Sequence, residues 1–294
     1  MAIPRIPSYN IPETFPDNRV AWQASRDRAV LLVHDMQDYF LDFYDRDSKP
    51  VPQLQANIRS LIDLAHSLEI PVVYTAQLPE QNVQERGLLQ DMWGPGLTAQ
   101  PQGKSIVAAL APETQDTVLD KWRYSAFQKS TLEKMMREDG RDQLIICGIY
   151  AHIGCMMTAC DAFMRDIQAF MVADAVADFS TEEHAMALRY VAQRCGAVTT
   201  TEALLAVLQP ASSHNHVPLS QDELKTTIAG LLQVPAAELQ PDDNLLDWGL
   251  DSIRIMSLLE SWRKTGLDLS FMRLAEQPTL AAWWSILDPD PAHS

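Results

Sequence analysis

Cysteine is scarce in this chain of 294 residues, with four in all: Cys147, Cys155, Cys160 and Cys195. None form a CxxC pair, which excludes a tetrathiolate zinc site, and four are too few to staple a domain, so reduced thiols are expected. Glycine is thin as well, at 11 residues, and none are arranged as a phosphate-cradling loop. An HExxH pair is also missing, and Asp242-Asp243-Asn244 stands without the rest of a calcium loop, so no metal is expected. Positive charge is in short supply: 23 Lys and Arg face 39 Asp and Glu, a formal charge of −16. Such a surface repels phosphate backbones and anionic membranes, which argues against nucleic acid as a partner. No stretch approaches the roughly 18 apolar residues of a membrane span. The start, Met1-Ala-Ile-Pro-Arg-Ile-Pro, lacks a signal peptide's apolar core, and a cytoplasmic protein is expected.

What is present is ordinary globular composition, 47% hydrophobic and 21% charged, in a chain longer than single cores usually grow. Two domains are therefore expected. Short apolar runs at Ala29 to Val33, Ile70 to Thr75, Leu144 to Tyr150 and Ala169 to Ala173 alternate with helical periodicity. That alternation predicts βαβ units and a parallel sheet. One helix is expected from Val51 to Leu68, with Ile58, Leu61, Ile62 and Leu64 on one face. Another runs from Thr181 to Arg194, capped by Ser180 with Glu183 three residues on. The reading is an α/β, doubly wound parallel-sheet domain over residues 1–208.

The segment 209–218, Gln209-Pro-Ala-Ser-Ser-His-Asn-His-Val-Pro218, has the small, polar and proline residues of a linker. From Ser220 onward the pattern is helical only, with 12 acidic against 5 basic residues, a net charge of −7. A small all-α four-helix domain is expected over residues 219–290. In it, Gly249-Leu-Asp-Ser252 comes just before an amphipathic helix, which places Ser252 at a helix N-terminus. The positive end of a helix favours an attached phosphodiester, and Asp251 is available to a modifying enzyme's metal ion. A plain N-cap role for Asp251 or Ser252 is the alternative.

Over some 70 residues, including Asn244-Leu-Leu-Asp247 and Pro278-Thr-Leu280, this segment resembles the phosphopantetheine-attachment domain of carrier proteins. The resemblance implies 4'-phosphopantetheine carried covalently on Ser252. Met256, Phe271 and Ile253 can form the apolar face on which partner enzymes dock, since flexible Met suits a surface meeting several partners; core packing is the alternative, most of all for Ile253.

In the first domain, three strand ends deliver polar groups toward the carboxyl edge of the sheet, where open α/β folds bind ligands. Asp35 follows Ala29-Val-Leu-Leu-Val-His34, Lys121 follows Val118-Leu119, and the turn Gly148-Ile-Tyr-Ala-His-Ile-Gly154-Cys155 runs from strand into helix. Together they resemble the cysteine-hydrolase superfamily, whose triad is Asp, Lys and Cys. Aligning Gly148 with that superfamily's turn glycine puts the nucleophile position at Gly154. Successive helical residues point about 100° apart, so Cys155 does not substitute for a side chain one position earlier and is read as a helix packing residue.

The missing thiol matches the isochorismatase branch. The segments His34-Asp-Met-Gln-Asp-Tyr-Phe40, Tyr74-Thr-Ala-Gln77, Asp91-Met-Trp-Gly-Pro-Gly-Leu97, Lys121-Trp-Arg-Tyr-Ser-Ala-Phe127 and Tyr150-Ala-His-Ile-Gly154 look like isochorismatase throughout. With the carrier domain included, the chain is similar to the bifunctional proteins of catechol siderophore assembly.

The resemblance implies hydrolysis of the vinyl ether of isochorismate. That chemistry needs a general acid to protonate the terminal methylene carbon, and Asp35 is the expected acid. An ordinary carboxyl, of pKa roughly 4, is ionised at neutral pH, so the pocket has to keep the proton on it. Lys121 is expected to serve a substrate carboxylate or the departing oxygen. Arg86 is expected to pair bidentately with the other carboxylate, a solvated helix arginine being the alternative. Gln77 and Tyr150 are expected to hydrogen-bond the substrate, with Trp93 and Phe40 as the dry wall. His34 and His152 are read as structural. Also implied are a homodimer and three partners: a phosphopantetheinyl transferase, a 2,3-dihydroxybenzoate-activating adenylating enzyme and a condensation domain of a nonribosomal peptide synthetase. Two alternatives stay open, a thiol amidohydrolase using Cys155 and a non-catalytic scaffold presenting the carrier.

Overall fold

The computed structural model describes residues 3–208, 220–232, 234–250, 252–263 and 270–287. The chain divides into two compact units, Met1–Gln209 and Pro210–Ser294. The first is built on six strands: β1 (Ala29–His34), β2 (Val72–Gln77), β3 (Thr117–Lys121), β4 (Gln143–Ile149), β5 (Gln168–Ala177) and β6 (Gly196–Thr199). They lie in the order β3-β2-β1-β4-β5-β6, and every pairing is parallel. All six residues of β1 are buried, as a strand covered on both faces requires. Leu31 and Val33 pack on one side with the helix Val51–Ser67. Val30 and Leu32 pack on the other with the helices Met156–Phe163 and Thr181–Arg194. Ser180 caps the latter, its hydroxyl accepting the Glu183 N–H at 3.2 Å.

The apolar runs in the sequence find β1, β2, β4 and β5, although β5 extends four residues past its expected end. The edge strand β6 carried no expectation of its own, because its four residues, Gly-Ala-Val-Thr, are too few and too small to make an apolar run.

Strand order changes direction between β1 and β4, which opens a crevice at the carboxyl ends of these two strands. Gly148 makes the close approach there possible. Its φ is +110°, and a Cβ at this position would lie 2.7 Å from the His34 backbone nitrogen and 2.9 Å from its carbonyl carbon. The β4–β5 register shifts at the same place, between Ile146 and Gly148.

The second unit holds four α-helices among the described residues: Gln221–Leu232, Ser252–Arg263, Phe271–Glu276 and Leu280–Leu287. Their core includes Leu224, Ile228, Leu258 and Leu274, with the fully buried Trp262 and Trp283 edge to face, ring centres 6.2 Å apart. The Trp283 indole N–H donates to the Leu274 carbonyl at 2.9 Å, so its polar atom is satisfied inside the bundle. Gly249, at φ +92°, turns the chain before Ser252, the first residue of its helix. Met256 is 43% exposed, while Phe271 is partly buried against the bundle core. Asp251, the side chains of Ser252 and Ile253, and the expected linker 209–218 lie outside the described residues. Among the described residues no helix is long and apolar enough to cross a membrane.

Replacing Gly148 by Ala puts a side chain against backbone at a φ that L residues avoid. We expect a loss of about 2–4 kcal/mol of stability, measured as a lower urea midpoint with an unchanged denaturant slope.

Candidate active site

The crevice is a partly enclosed pocket lined by both polar and apolar side chains. Every hydrolase-unit residue expected at the site lines it: Asp35, Phe40, Gln77, Arg86, Trp93, Lys121, Tyr150 and Gly154. Asp35 directly follows β1 in a left-handed conformation, φ +49°, which aspartate tolerates better than most residues. Its backbone N–H meets the Thr75 hydroxyl at 3.1 Å, and that hydroxyl donates to Asp35 Oδ1 at 2.6 Å. Lys121, the last residue of β3, reaches across β2 and donates from Nζ to Asp35 Oδ2 at 3.1 Å. Both side chains are almost wholly buried, at 4% and 7% exposed.

Arg86 ends the short helix Val83–Arg86, which opens with a reciprocal capping box between Asn82 and Glu85. Solvated-arginine behaviour is ruled out, since the residue is 4% exposed. Its Nε donates to the Gly94 carbonyl at 2.6 Å, and a Cβ at Gly96 would collide with the guanidinium. Among the described residues no carboxylate lies within 4.0 Å of Arg86. Burial holds the guanidinium below its ordinary pKa. A guanidinium buried in a pocket wall has the geometry to take a carboxylate on two parallel N–H groups.

On the opposite wall, β4 runs into the π-helical turn Ala151–Cys155. The Tyr150 hydroxyl donates to the Phe40 carbonyl at 2.9 Å, so the O–H expected to meet a substrate is already engaged. What Tyr150 presents is its ring, packed on Phe40 and on Phe179. The Trp93 indole N–H donates to the Tyr124 hydroxyl at 2.7 Å, which fixes the ring at the pocket wall.

Gly154 stands against the His34 imidazole. A Cβ at Gly154 would collide with the edge of the ring between its two nitrogens, 2.7 and 2.8 Å from them. Cys155 is fully buried in the core cluster between the sheet and its helices, and burial pushes its thiol well above the ordinary range. The crevice thus pairs an acid with a lysine and offers no thiol to either.

Sequence reasoning passed over Arg123, Tyr124, Phe179, Leu89 and Ile3, which also line the crevice. Arg123 and Tyr124 sit inside the segment that carries Lys121, and Phe179 directly follows the buried Asp178, so adjacency was the available signal. Nothing local marks Ile3 or Leu89. His152 Nδ1 bonds Asp178 Oδ1 at 2.5 Å, and with Glu183 these are three potential ligand groups within 4.8 Å of one another. The Asp178 carboxylate also accepts the backbone N–H groups of His152 and Phe179, at 2.6 and 2.9 Å, which ties the cluster into the wall behind Tyr150.

Fold and crevice define the first unit as a doubly wound α/β enzyme with a buried Asp35–Lys121 pair, and the second as a helical carrier-type bundle. Sequence comparison agrees: an isochorismatase domain model matches residues 29–203 and a phosphopantetheine attachment site model matches residues 222–284. The chain belongs to the isochorismatase family. It is 52% identical to enterobactin synthase component B of Escherichia coli (strain K12) over 98% of both chains. It is 49% identical to the isochorismatase of Bacillus subtilis (strain 168), over 98% of this chain and 96% of that one. Among solved structures, a cysteine hydrolase from Pseudomonas syringae pv. phaseolicola 1448A superposes with a TM-score of 0.59 and 24% identity. That match covers 65% of this chain and 96% of the other, a likeness of fold.

Burial pushes the fully enclosed His34 down to about 4, against the pull of Asp35, while in an unfolded chain it titrates near 6.5. The unfolded state therefore binds more protons between those values, so stability is full above about pH 6.5 and is lost as pH falls toward 4. This one group accounts for about 3 kcal/mol. Urea midpoints measured from pH 7 down to 4.5 should fall more steeply for the wild type than for His34→Gln.

Proposed function

We propose that the first unit hydrolyses the vinyl ether of isochorismate, giving 2,3-dihydro-2,3-dihydroxybenzoate and pyruvate. The second unit carries 2,3-dihydroxybenzoate as a phosphopantetheine thioester on Ser252 for nonribosomal siderophore assembly. The observation that carries the first half is the buried Asp35–Lys121 pair with no side chain at Gly154 beside it. Such a crevice suits a reaction begun by protonation rather than by nucleophilic attack.

Isochorismate brings two carboxylates. One pairs with Arg86, whose guanidinium has no carboxylate of its own among the described residues. The other, or the departing oxygen, draws Lys121 Nζ from Asp35. Relieved of its cation, Asp35 holds a proton and delivers it to the terminal methylene carbon. The ether oxygen stabilises the resulting oxocarbenium ion, water adds to it, and the hemiketal collapses with cleavage of the bond to the ether oxygen, its hydroxyl proton passing to that departing oxygen, so that pyruvate and the ring diol are released. Asp35 receives the proton the water gives up. Trp93, Phe40 and the Tyr150 ring keep bulk water from the ion, and Gln77 hydrogen-bonds the substrate.

For the second half, Ser252 at the start of its helix and the phosphopantetheine attachment site match support the attachment point. Met256, exposed at 43%, belongs to the docking face with Phe271 and Ile253. Its partners are a phosphopantetheinyl transferase, the aryl-activating adenylating enzyme and a condensation domain. The protein works in the cytoplasm as a homodimer, without a metal in the hydrolase unit. Residues 1–208 and 219–290 act as separable modules on either side of the 209–218 linker.

Asp35→Asn should cut pyruvate release from isochorismate by about a thousandfold while leaving the circular dichroism spectrum intact. Cys155→Ser should keep near-wild-type turnover. An active Asp35→Asn contradicts the assignment of the acid, and an inactive, folded Cys155→Ser favours the thiol amidohydrolase. Incubated with coenzyme A and a phosphopantetheinyl transferase, the wild type should gain the mass of one phosphopantetheine group and Ser252→Ala none; labelling of Ser252→Ala places the arm elsewhere.

A further inference from the structure

Two of the four cysteines, 35 positions apart in the chain, meet in the fold. Cys160 lies on the helix Met156–Phe163, Cys195 directly follows the helix Thr181–Arg194, and their sulfur atoms are hydrogen-bonded at 3.6 Å. Neither takes part in the chemistry of the crevice. The other two thiols differ in kind: Cys147 and Cys155 are wholly buried, and burial pushes both far above the ordinary thiol range.

Cys160 is half-buried and lines an open surface groove with Leu88, Gln128 and Met157, so a small oxidant in solvent reaches its sulfur. Cys195 is nearly buried, at 6% exposed, and does not line the Cys160 groove. The two positions therefore divide the roles of a reactive and a resolving thiol. The two sulfurs share one hydrogen bond in which either can donate; that contact holds the Cys160 thiol below its ordinary range and, with burial, pushes Cys195 up. A thiolate, rather than a thiol, is the species that attacks peroxide.

We propose that Cys160 and Cys195 form a reversible modification site, closing an intramolecular disulfide under hydrogen peroxide and reopening with a dithiol reductant. The Cys160 thiolate attacks one peroxide oxygen. The O–O bond breaks, Cys160 becomes a sulfenic acid, and hydroxide leaves and takes up the proton that Cys160 lost. The Cys195 sulfur then displaces the hydroxyl from Cys160 sulfur, and its own proton departs with that hydroxyl as water. Two thiols are oxidised, one peroxide is reduced, and two waters form. A disulfide bond is about 2.05 Å long, so the sulfurs must close by about 1.5 Å from their 3.6 Å separation for the bond to form.

The new bond ties the helix Met156–Phe163 to the end of the helix Thr181–Arg194. The first of these helices is itself anchored to the crevice, since the Thr158 hydroxyl donates to the Gly154 carbonyl at 2.7 Å. Joining two helices through a long loop of chain restricts the unfolded state, so the oxidised protein should unfold at a temperature several degrees higher.

The test uses the full-length protein treated with a few equivalents of hydrogen peroxide and read by intact mass under non-reducing conditions. The expected product is lighter by two hydrogens, shows a Cys160–Cys195 cross-linked peptide after digestion, and returns to the starting mass with dithiothreitol. Cys195→Ser should instead accumulate a sulfenic acid at position 160 that is trapped by dimedone, and Cys160→Ser should give neither product. Oxygen addition without a cross-link in the wild type overturns the proposal. So does a two-hydrogen loss that persists in Cys160→Ser. Melting curves of each variant before oxidation establish that both remain folded.

Discussion

A lysine and an aspartate, each almost stripped of water and 3.1 Å apart, meet where the sheet changes direction, and the rest of the first unit is arranged around that contact. Coming from the ends of β1 and β3, they hold together only if β2 between them is in register. Thr75 of β2 shows that it is, pairing with His34 across the sheet and bonding the Asp35 carboxylate. Removing one partner of such a buried pair strands the other charge, at a cost of about 3–5 kcal/mol.

The second constraint is steric. The His34 ring fills the space that any side chain at residue 154 would need, and its nitrogens face the carbonyls of Ile149 and Tyr124 at 2.8 and 3.3 Å. One buried, neutral imidazole, whose single N–H can donate to one of these carbonyls, thus sits between β1 and the π-helical turn and keeps position 154 bare. The solved cysteine hydrolase shares the sheet architecture. In this chain's crevice a glycine at position 154 faces a histidine at position 34.

Much of this was legible in the sequence for a physical reason. A strand buried on both faces has to be apolar throughout, so β1 stands out, and a carboxylate directly after it has few explanations besides chemistry. Lys121 is legible in the same way at the end of β3, although the strand itself alternates with exposed positions. The burial of Arg86 was not, because it depends on Gly96 leaving room from ten residues away. The engaged Tyr150 hydroxyl depends on the Phe40 carbonyl, 110 positions distant. Cysteine spacing gave no hint of the Cys160–Cys195 contact either, since two helices and a strand have to pack before the sulfurs meet. In the second unit, the helix pattern and the Gly249-Leu-Asp-Ser252 signal are local, and the helix begins at the residue expected.

The account rests on proton delivery to carbon followed by water addition to the enolpyruvyl side of the ether. Turnover of isochorismate in heavy-oxygen water, with the ring product analysed by mass spectrometry, tests this directly. The account predicts that 2,3-dihydro-2,3-dihydroxybenzoate keeps both of its substrate-derived hydroxyl oxygens and takes none from water. A water oxygen in a ring hydroxyl would mean that the ring carbon was attacked and would contradict it.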